Sequence, residues 1–286
     1  MKYTFIAAHT GQFSVQRMCR VLGVQRSGYY AWRRREPSGR EQANQALLRI
    51  IEAEHQASRN TYGSPRIQVA LRQQGMRCGR HRVARLMRRH QIVAVPRRKR
   101  HPLTTQRQPG AVPAPNRLNQ DFTATAPNQK WVSDFTYIET GEGWLYLAVV
   151  LDLFSRRVIG WAMRQTMDVE LVEAALCMAL RDRKPPAGLL HHSDQGSQYT
   201  ASSYLELLNT VSALHSMSRV GNCYDNAVVE SFFGTLKTEC VTAPFATRAD
   251  ARTTIFEYLE VWYNRKRLHS ALGYCSPVLF EQQFPP

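Results

Sequence analysis

Three strands in a row, followed by alternating helices and strands, decide what kind of molecule this chain can build. Residues 130–138, 144–154 and 157–163 are rich in β-branched and aromatic side chains, and Gly141-Glu142-Gly143 supplies a hairpin turn between the first two. Residues 169–181 then read as a helix, 189–192 as a short buried strand, 201–209 as a helix and 212–217 as an edge strand. Residues 226–238 and 249–264 read as two more helices. This order predicts an α/β fold, a mixed five-stranded sheet with helices on its faces.

The front of the chain differs in charge. Of 38 Lys and Arg against 22 Asp and Glu, residues 1–130 hold 25 bases and 5 acids, and residues 131–286 hold the other 13 and 17. A basic half of this density attracts a polyanion, and nucleic acid is the usual one, although a ribosomal or membrane-surface partner would select the same charge. Residues 144–151, the longest apolar run, fall far short of a bilayer span, and residues 1–12 carry no secretory pattern, so a cytoplasmic location is expected. The six cysteines form no C-x-x-C pair, which argues for reduced core residues rather than a structural zinc site.

Five segments follow from composition. In residues 1–38, Val15, Met18, Cys19 and Leu22 fall at helical spacing before Gly23, and a second short amphipathic segment begins at Val24. That is the outline of a helix-turn-helix or of a plain helical hairpin. Residues 41–95 read as a basic helical domain, with a helix over 46–55 and another started by Ser64 as N-cap with Pro65 at its first position. Residues 80–90 then put Val83, Leu86 and Met87 on one face, and Arg80, Arg82, Arg85, Arg88 and Arg89 over much of the rest. With so few acids nearby, this helix is expected to contact DNA rather than to be a solvated basic face. Residues 96–126 carry Arg97-Arg98-Lys99-Arg100 and several prolines, and read as an extended basic linker too poor in apolar residues to pack a core, able to track a DNA backbone. Residues 127–240 form the α/β core, and 241–286 a helical extension packed on it.

Three acids stand out in that core. Asp134 lies inside the first strand, where aspartate is disfavoured and its neighbours are buried. Asp194 follows the fourth strand directly, at the end where α/β sheets place site residues. Glu230 sits in a helix, with 35 residues between it and Asp194, and Lys237 follows two turns later on the same face. Each acid alone is an ordinary surface or cap residue; the set, in this order and on these elements, is not. Cutting and joining phosphodiesters requires an activated oxygen nucleophile and a stabilised leaving oxygen, which two Mg2+ ions roughly 3.5–4 Å apart provide. Three crowded carboxylates without a metal would repel one another.

The segments around these acids resemble a known family. Trp131-Val132-Ser133-Asp134, His192-Ser193-Asp194-Gln195-Gly196-Ser197-Gln198-Tyr199, Asp225-Asn226-Ala227-Val228-Val229-Glu230 and Tyr263-Asn264-Arg265-Lys266-Arg267-Leu268-His269 are similar to the integrase-like DDE transposases of bacterial insertion sequences, the OrfB-type catalytic protein of the IS3 family. The likeness covers nearly the whole chain. It implies a ribonuclease-H-like core, Asp134, Asp194 and Glu230 as ligands of two Mg2+ or Mn2+ ions, and a DNA-contacting role for Lys237. It further implies nicking at the element's ends, then attack of a 3′-hydroxyl on a target phosphodiester. Transposon ends and target DNA, an OrfA partner or OrfA fusion, and a second copy of the chain on DNA are the implied partners. No heptad zipper is present, so the chain looks like the OrfB portion alone.

Other residues near the site carry plainer expectations. Asp152 is expected to turn the strand end or to pair with Arg156 or Arg157 rather than to be a fourth catalytic acid. His191 and His192 orient a phosphate or pack in the sheet. Tyr263, Asn264, Arg267 and His269 are expected to close the C-terminal helix onto the core, Arg267 having a DNA contact as its alternative. Tyr224 packs or touches DNA. Two other functions fit parts of this pattern. A DNA-binding repressor would use the basic front and has no need of spaced carboxylates. A two-metal nuclease of ribonuclease H type would cut without joining.

Overall fold

Five strands lie in the order β3-β2-β1-β4-β5 in the computed structural model, which describes residues 1–96, 113–219 and 223–284. Strands β1 (Lys130–Thr140) and β2 (Gly143–Asp152) form the expected antiparallel hairpin, registered from Trp131 opposite Asp152 to Thr140 opposite Gly143. Strand β3 (Val158–Arg164) continues antiparallel to β2, with a bulge at Val150/Leu151. Strand β4 (Leu190–Ser193) pairs in parallel with β1 over Lys130, Trp131 and Val132, and β5 (Leu214–Met217) forms the parallel outer edge. The sheet is therefore mixed and ribonuclease-H-like, as the strand pattern and the resemblance together foretold. Because β4 is short, its pairing with β1 ends at Val132; helix α9 (Ala227–Glu239) packs against β1, and Phe245 bridges Thr140 near the strand's far end.

Both faces of the sheet are covered, which is why β2 reads as an almost unbroken apolar run. On one face Trp131, Ala148, Val150 and Ile159 meet helices α7 (Val169–Arg183) and α8 (Ser202–Asn209). Gly160 allows α7 that approach, since a Cβ there would run into the Ala175 carbonyl oxygen. On the other face Val132, Ile138, Leu145, Leu147 and Val149 pack with Phe232, Phe233 and Leu236 of α9, and with helix α10 (Arg248–Glu257) and the π-helical segment Tyr258–Tyr263 that prolongs it.

The front folds as two helical groups. Helices α1 (Lys2–Ala8), α2 (Val15–Val21) and α3 (Arg26–Arg34) enclose Ile6, Met18, Cys19 and Tyr29, and Gly23 turns between α2 and α3 at φ +62°. Helix α1 was not foreseen, because it buries a single residue, Ile6, and so shows no apolar stripe. Helices α4 (Gly39–Ala57), α5 (Ser64–Gln73) and α6 (Arg80–Arg89) form the second group. The cap of α5 is Gly63 rather than Ser64, with Pro65 still in the first turn.

Two findings tie front to back. Residues 113–126 do not hang loose: Leu118 is 1% exposed within the main core, and Ser216 Oγ accepts the N–H groups of Arg117 (2.9 Å) and Leu118 (3.2 Å). One leucine and two backbone donors suffice where composition alone argued against packing. Moreover, Leu47, Ile51, Tyr62, Ile67 and Leu71 share that core with Tyr258, Leu259, Trp262 and Leu268. Tyr62 Oη accepts the Leu268 N–H at 2.7 Å, and Arg66 Nε donates to the Leu268 carbonyl at 3.0 Å. Among the described residues no helix is long and apolar enough to cross a membrane.

Candidate active site

Asp134 stands in mid-β1, opposite Val149, just past the point where β4 stops pairing. Its Oδ1 accepts the N–H of Phe135 at 2.8 Å. Asp194 follows the last residue of β4, and its Oδ1 accepts the N–H of Gly196 at 3.0 Å, which turns the chain sharply away from the sheet. Glu230 lies in the first turn of α9, the helix packed against β1. Both aspartates are half-buried and Glu230 faces solvent.

These acids act on one another. Burial, then the negative charge of Asp194, then that of Glu230 hold the Asp134 carboxyl well above the usual carboxylate range; the Phe135 N–H and the Lys237 ammonium pull it down, and are outweighed. Burial also raises Glu230. Three elements distant in sequence thus bring two negative charges to bear on Asp134. Among the described residues no three His, Cys, Asp or Glu side chains are drawn tightly enough to enclose an ion by themselves. The donor set nonetheless suits Mg2+ or Mn2+. These hard cations choose carboxylate oxygens, keep several waters, and are commonly held by one or two carboxylates together with substrate phosphates. A cation would also relieve the repulsion that raises Asp134.

Lys237 Nζ sits 4.6 Å from the centroid of the Tyr137 ring, on the same strand as Asp134. Among the arginines of α6, Arg80, Arg85, Arg88 and Arg89 are exposed, the last 3.5 Å from Glu41. Arg82 is half-buried and donates to Asn44 Oδ1 at 2.9 Å, so its side chain serves the packing of α6 on α4. Arg97, Arg98, Lys99 and Arg100 lie outside the described residues.

Known proteins share this layout. Residues 124–223 and 212–277 match the integrase core domain, and residues 42–100 match the HTH-like domain. The chain is 46% identical over 286 residues, 99% of each protein, to Transposase InsF for insertion sequence IS3A of Escherichia coli K12. This chain belongs to the IS3 family of transposases. A 31 kDa protein of insertion element IS600 from Shigella sonnei is 47% identical over 93% of the transposase and 98% of its own length. Among solved structures, the HTLV-2 integrase catalytic core domain in complex with magnesium aligns at a TM-score of 0.43 and 17% identity, over 56% of the transposase and 99% of that chain.

Several residues of the transposase have roles that single-residue reading missed. Asp225, fully buried just before α9, accepts from the Arg219 N–H at 2.8 Å, Arg219 Nε and Nη2, Asn116 Nδ2 and Gln120 Nε2, and the Arg219 guanidinium holds its carboxyl well below the usual range. It ties residues 116–120 to the start of the helix bearing Glu230. Its presence in the motif was visible; its partners, more than 100 residues upstream in two cases, were not.

Asp152 is a fold residue, as expected, but its partner is neither Arg156 nor Arg157. It accepts the N–H groups of Asn128 and Phe154 and pairs with Arg183 of α7 at 3.3 Å. His191 and His192 both pack in the sheet: Ser133 Oγ and Tyr204 Oη flank the first, Ser216 Oγ and Ser218 Oγ the second. Asn264 bonds the N–H and carbonyl of Val158, and buried Arg267 pairs with Glu239 at 2.7 Å, so both close the C-terminal segment on the core. Tyr224 is 70% exposed.

Proposed function

We propose that Asp134, Asp194 and Glu230 are the catalytic carboxylates of this transposase and that they hold two divalent cations, Mg2+ or Mn2+, against the DNA. The observation that carries this reading is the approach of acids from the tip of β4 and from α9 to Asp134 in β1, where burial and the charges of Asp194 and Glu230 raise its proton affinity and, among the described residues, Lys237 is the cation that opposes them. Bound there, the two cations would activate an attacking oxygen and stabilise the leaving oxygen of an in-line displacement.

The chain's own groups do the rest. The Phe135 and Gly196 N–H groups fix the two aspartates, so that little reorganisation is needed when DNA arrives. Lys237, beyond Glu230 on α9, attracts a phosphate beside the acids. The exposed arginines of α6 and the basic run Arg97, Arg98, Lys99 and Arg100 bind the duplex through its backbone, which sets register, while base contacts from α6 read sequence. One site then serves two reactions, nicking at the element's ends and joining of the freed 3′-hydroxyl to target DNA. An OrfA protein, or OrfA fused ahead of this chain, and a second copy of the chain complete the assembly on DNA, in the bacterial cytoplasm.

The test uses labelled DNA bearing the ends of the element, incubated with the full chain and Mg2+, with and without an OrfA partner. Nicked strands and joined products are expected, both lost in EDTA and in Asp134→Asn. Nicked ends that never join, with OrfA present, would leave a two-metal nuclease and remove strand transfer.

A further inference from the structure

The free end of the β1–β2 hairpin carries a group that the proposed chemistry does not use. Trp144, the second residue of β2, is 46% exposed. The Tyr137 ring meets it edge to face at 5.1 Å and 85°, and Lys237 Nζ stands over Tyr137 at 4.6 Å. Arg248, the first residue of α10, donates from Nε to the Trp144 carbonyl at 3.2 Å and from its backbone N–H to Glu142 at 2.8 Å. The indole is thus anchored by its backbone and braced along one side, while nearly half of its surface meets water.

That arrangement defines its ligand. Glu139 lies opposite Trp144 in the register and Glu142 at the turn, so this end of the hairpin is not a uniform basic track for a run of phosphates. It offers a large flat π-face, with Lys237 over the bracing Tyr137 ring and Arg248 at the Trp144 carbonyl, which fits one nucleobase with its attached phosphate. A base inside a duplex has both faces covered, so the ligand must be a base taken out of the stack. Trp144 stands opposite Glu139, five residues along β1 from Asp134, about 17 Å at about 3.3 Å per residue. At about 3.4 Å per nucleotide along one strand, that spans about five nucleotides.

We propose that Trp144, braced by Tyr137, is a stacking platform for an unpaired DNA base within about five nucleotides of the phosphodiester that reacts. Its location relative to the chemistry rests on Asp134 being catalytic; the stacking itself does not.

The test compares duplexes of one sequence, blunt or with about five unpaired nucleotides at one end and 2-aminopurine in that arm, titrated with the full chain in EDTA. Wild type is expected to favour the forked duplex by at least about fivefold, the lower end for one base stacked on an aromatic ring, and to quench the 2-aminopurine. Trp144→Ala loses both preference and quenching; Trp144→Phe, which keeps a ring, retains most of each. Equal binding of fork and blunt duplex by wild type, or an undiminished preference and quench in a folded Trp144→Ala, overturns the platform. Nicking by Asp134→Asn is scored in parallel with Mg2+. Normal nicking by that variant sinks the catalytic assignment while leaving the fork result to stand alone, whereas lost nicking without fork preference sinks the platform alone.

Discussion

The carboxylates at the open end of β1 and those at the back of the sheet live by opposite rules. Asp194 and Glu230 crowd Asp134, and the cation on the same end, Lys237, is too weak to bring Asp134 down. Elsewhere four buried or half-buried acids have met an arginine: Asp152 and Glu281 share Arg183, Asp225 takes Arg219, and Glu239 takes Arg267. These acids are neutralised by the fold, whereas Asp134 is raised by like-charged neighbours, the signature expected of a functional site.

The contrast can be broken most sharply at the site. Asp134→Asn, Asp194→Asn and Glu230→Gln are each expected to abolish nicking while the metal-free protein melts no lower than wild type, because each substitution relieves repulsion. Nicking gels and a thermal melt read the two halves of that statement, and a large fall in melting temperature would move the residue into the structural class. At the back the expectation reverses. Arg267→Met leaves Glu239 buried and unpaired and should cost about 3–5 kcal/mol in urea unfolding, much of it recovered when Glu239→Leu is added. An exposed-pair value of a few tenths would show that water reaches the clasp.

A third expectation concerns the strands between these regions. Burial holds His192 and His215 down to about 4, from an ordinary 6.5, so the folded chain refuses a proton that the unfolded chain accepts. Stability is then intact above pH 6.5 and is lost as pH falls towards about 4. The strand tip bearing Asp194 rests on β4 and should loosen first, which amide exchange along 190–193 and 214–217 would reveal. His192→Gln should flatten that acid limb; an unchanged limb would place the loss elsewhere.

The smallest effects separate arginines on a single helix. Arg85→Ala or Arg88→Ala should each lower the slope of log Kd against log salt by about one and leave the melting temperature alone. Arg82→Ala, which abandons Asn44, should instead cost about 1–3 kcal/mol of stability. Equal behaviour of the three would erase the distinction between arginines that face solvent and the one that packs.

Much of this was legible before any coordinates, and the boundary is physical. Strand periodicity marked the hairpin, and a carboxylate inside it was odd enough to single out Asp134. Asp194 declared itself by following a short apolar strand, and Glu230 by sharing a helix face with Lys237. What stayed hidden were pairings between residues far apart in the chain. Arg267 was placed on the core correctly, but its partner Glu239 drew no notice, because a glutamate near a helix end looks the same whether solvated or buried. Asp152 turns the strand end as read, but the ion pair of its side chain is with Arg183, the last residue of α7, where sequence proximity favoured Arg156 and Arg157. Leu118 was overlooked because one leucine among prolines leaves no periodic trace.

The hydrogen bonds from Leu268 to Tyr62 and from Arg66 to Leu268 set a timetable as well as a contact. Helices α4 to α6 are synthesised well before Leu268, which is part of the floor they rest on. Until that residue is made, the three helices lack both of these bonds.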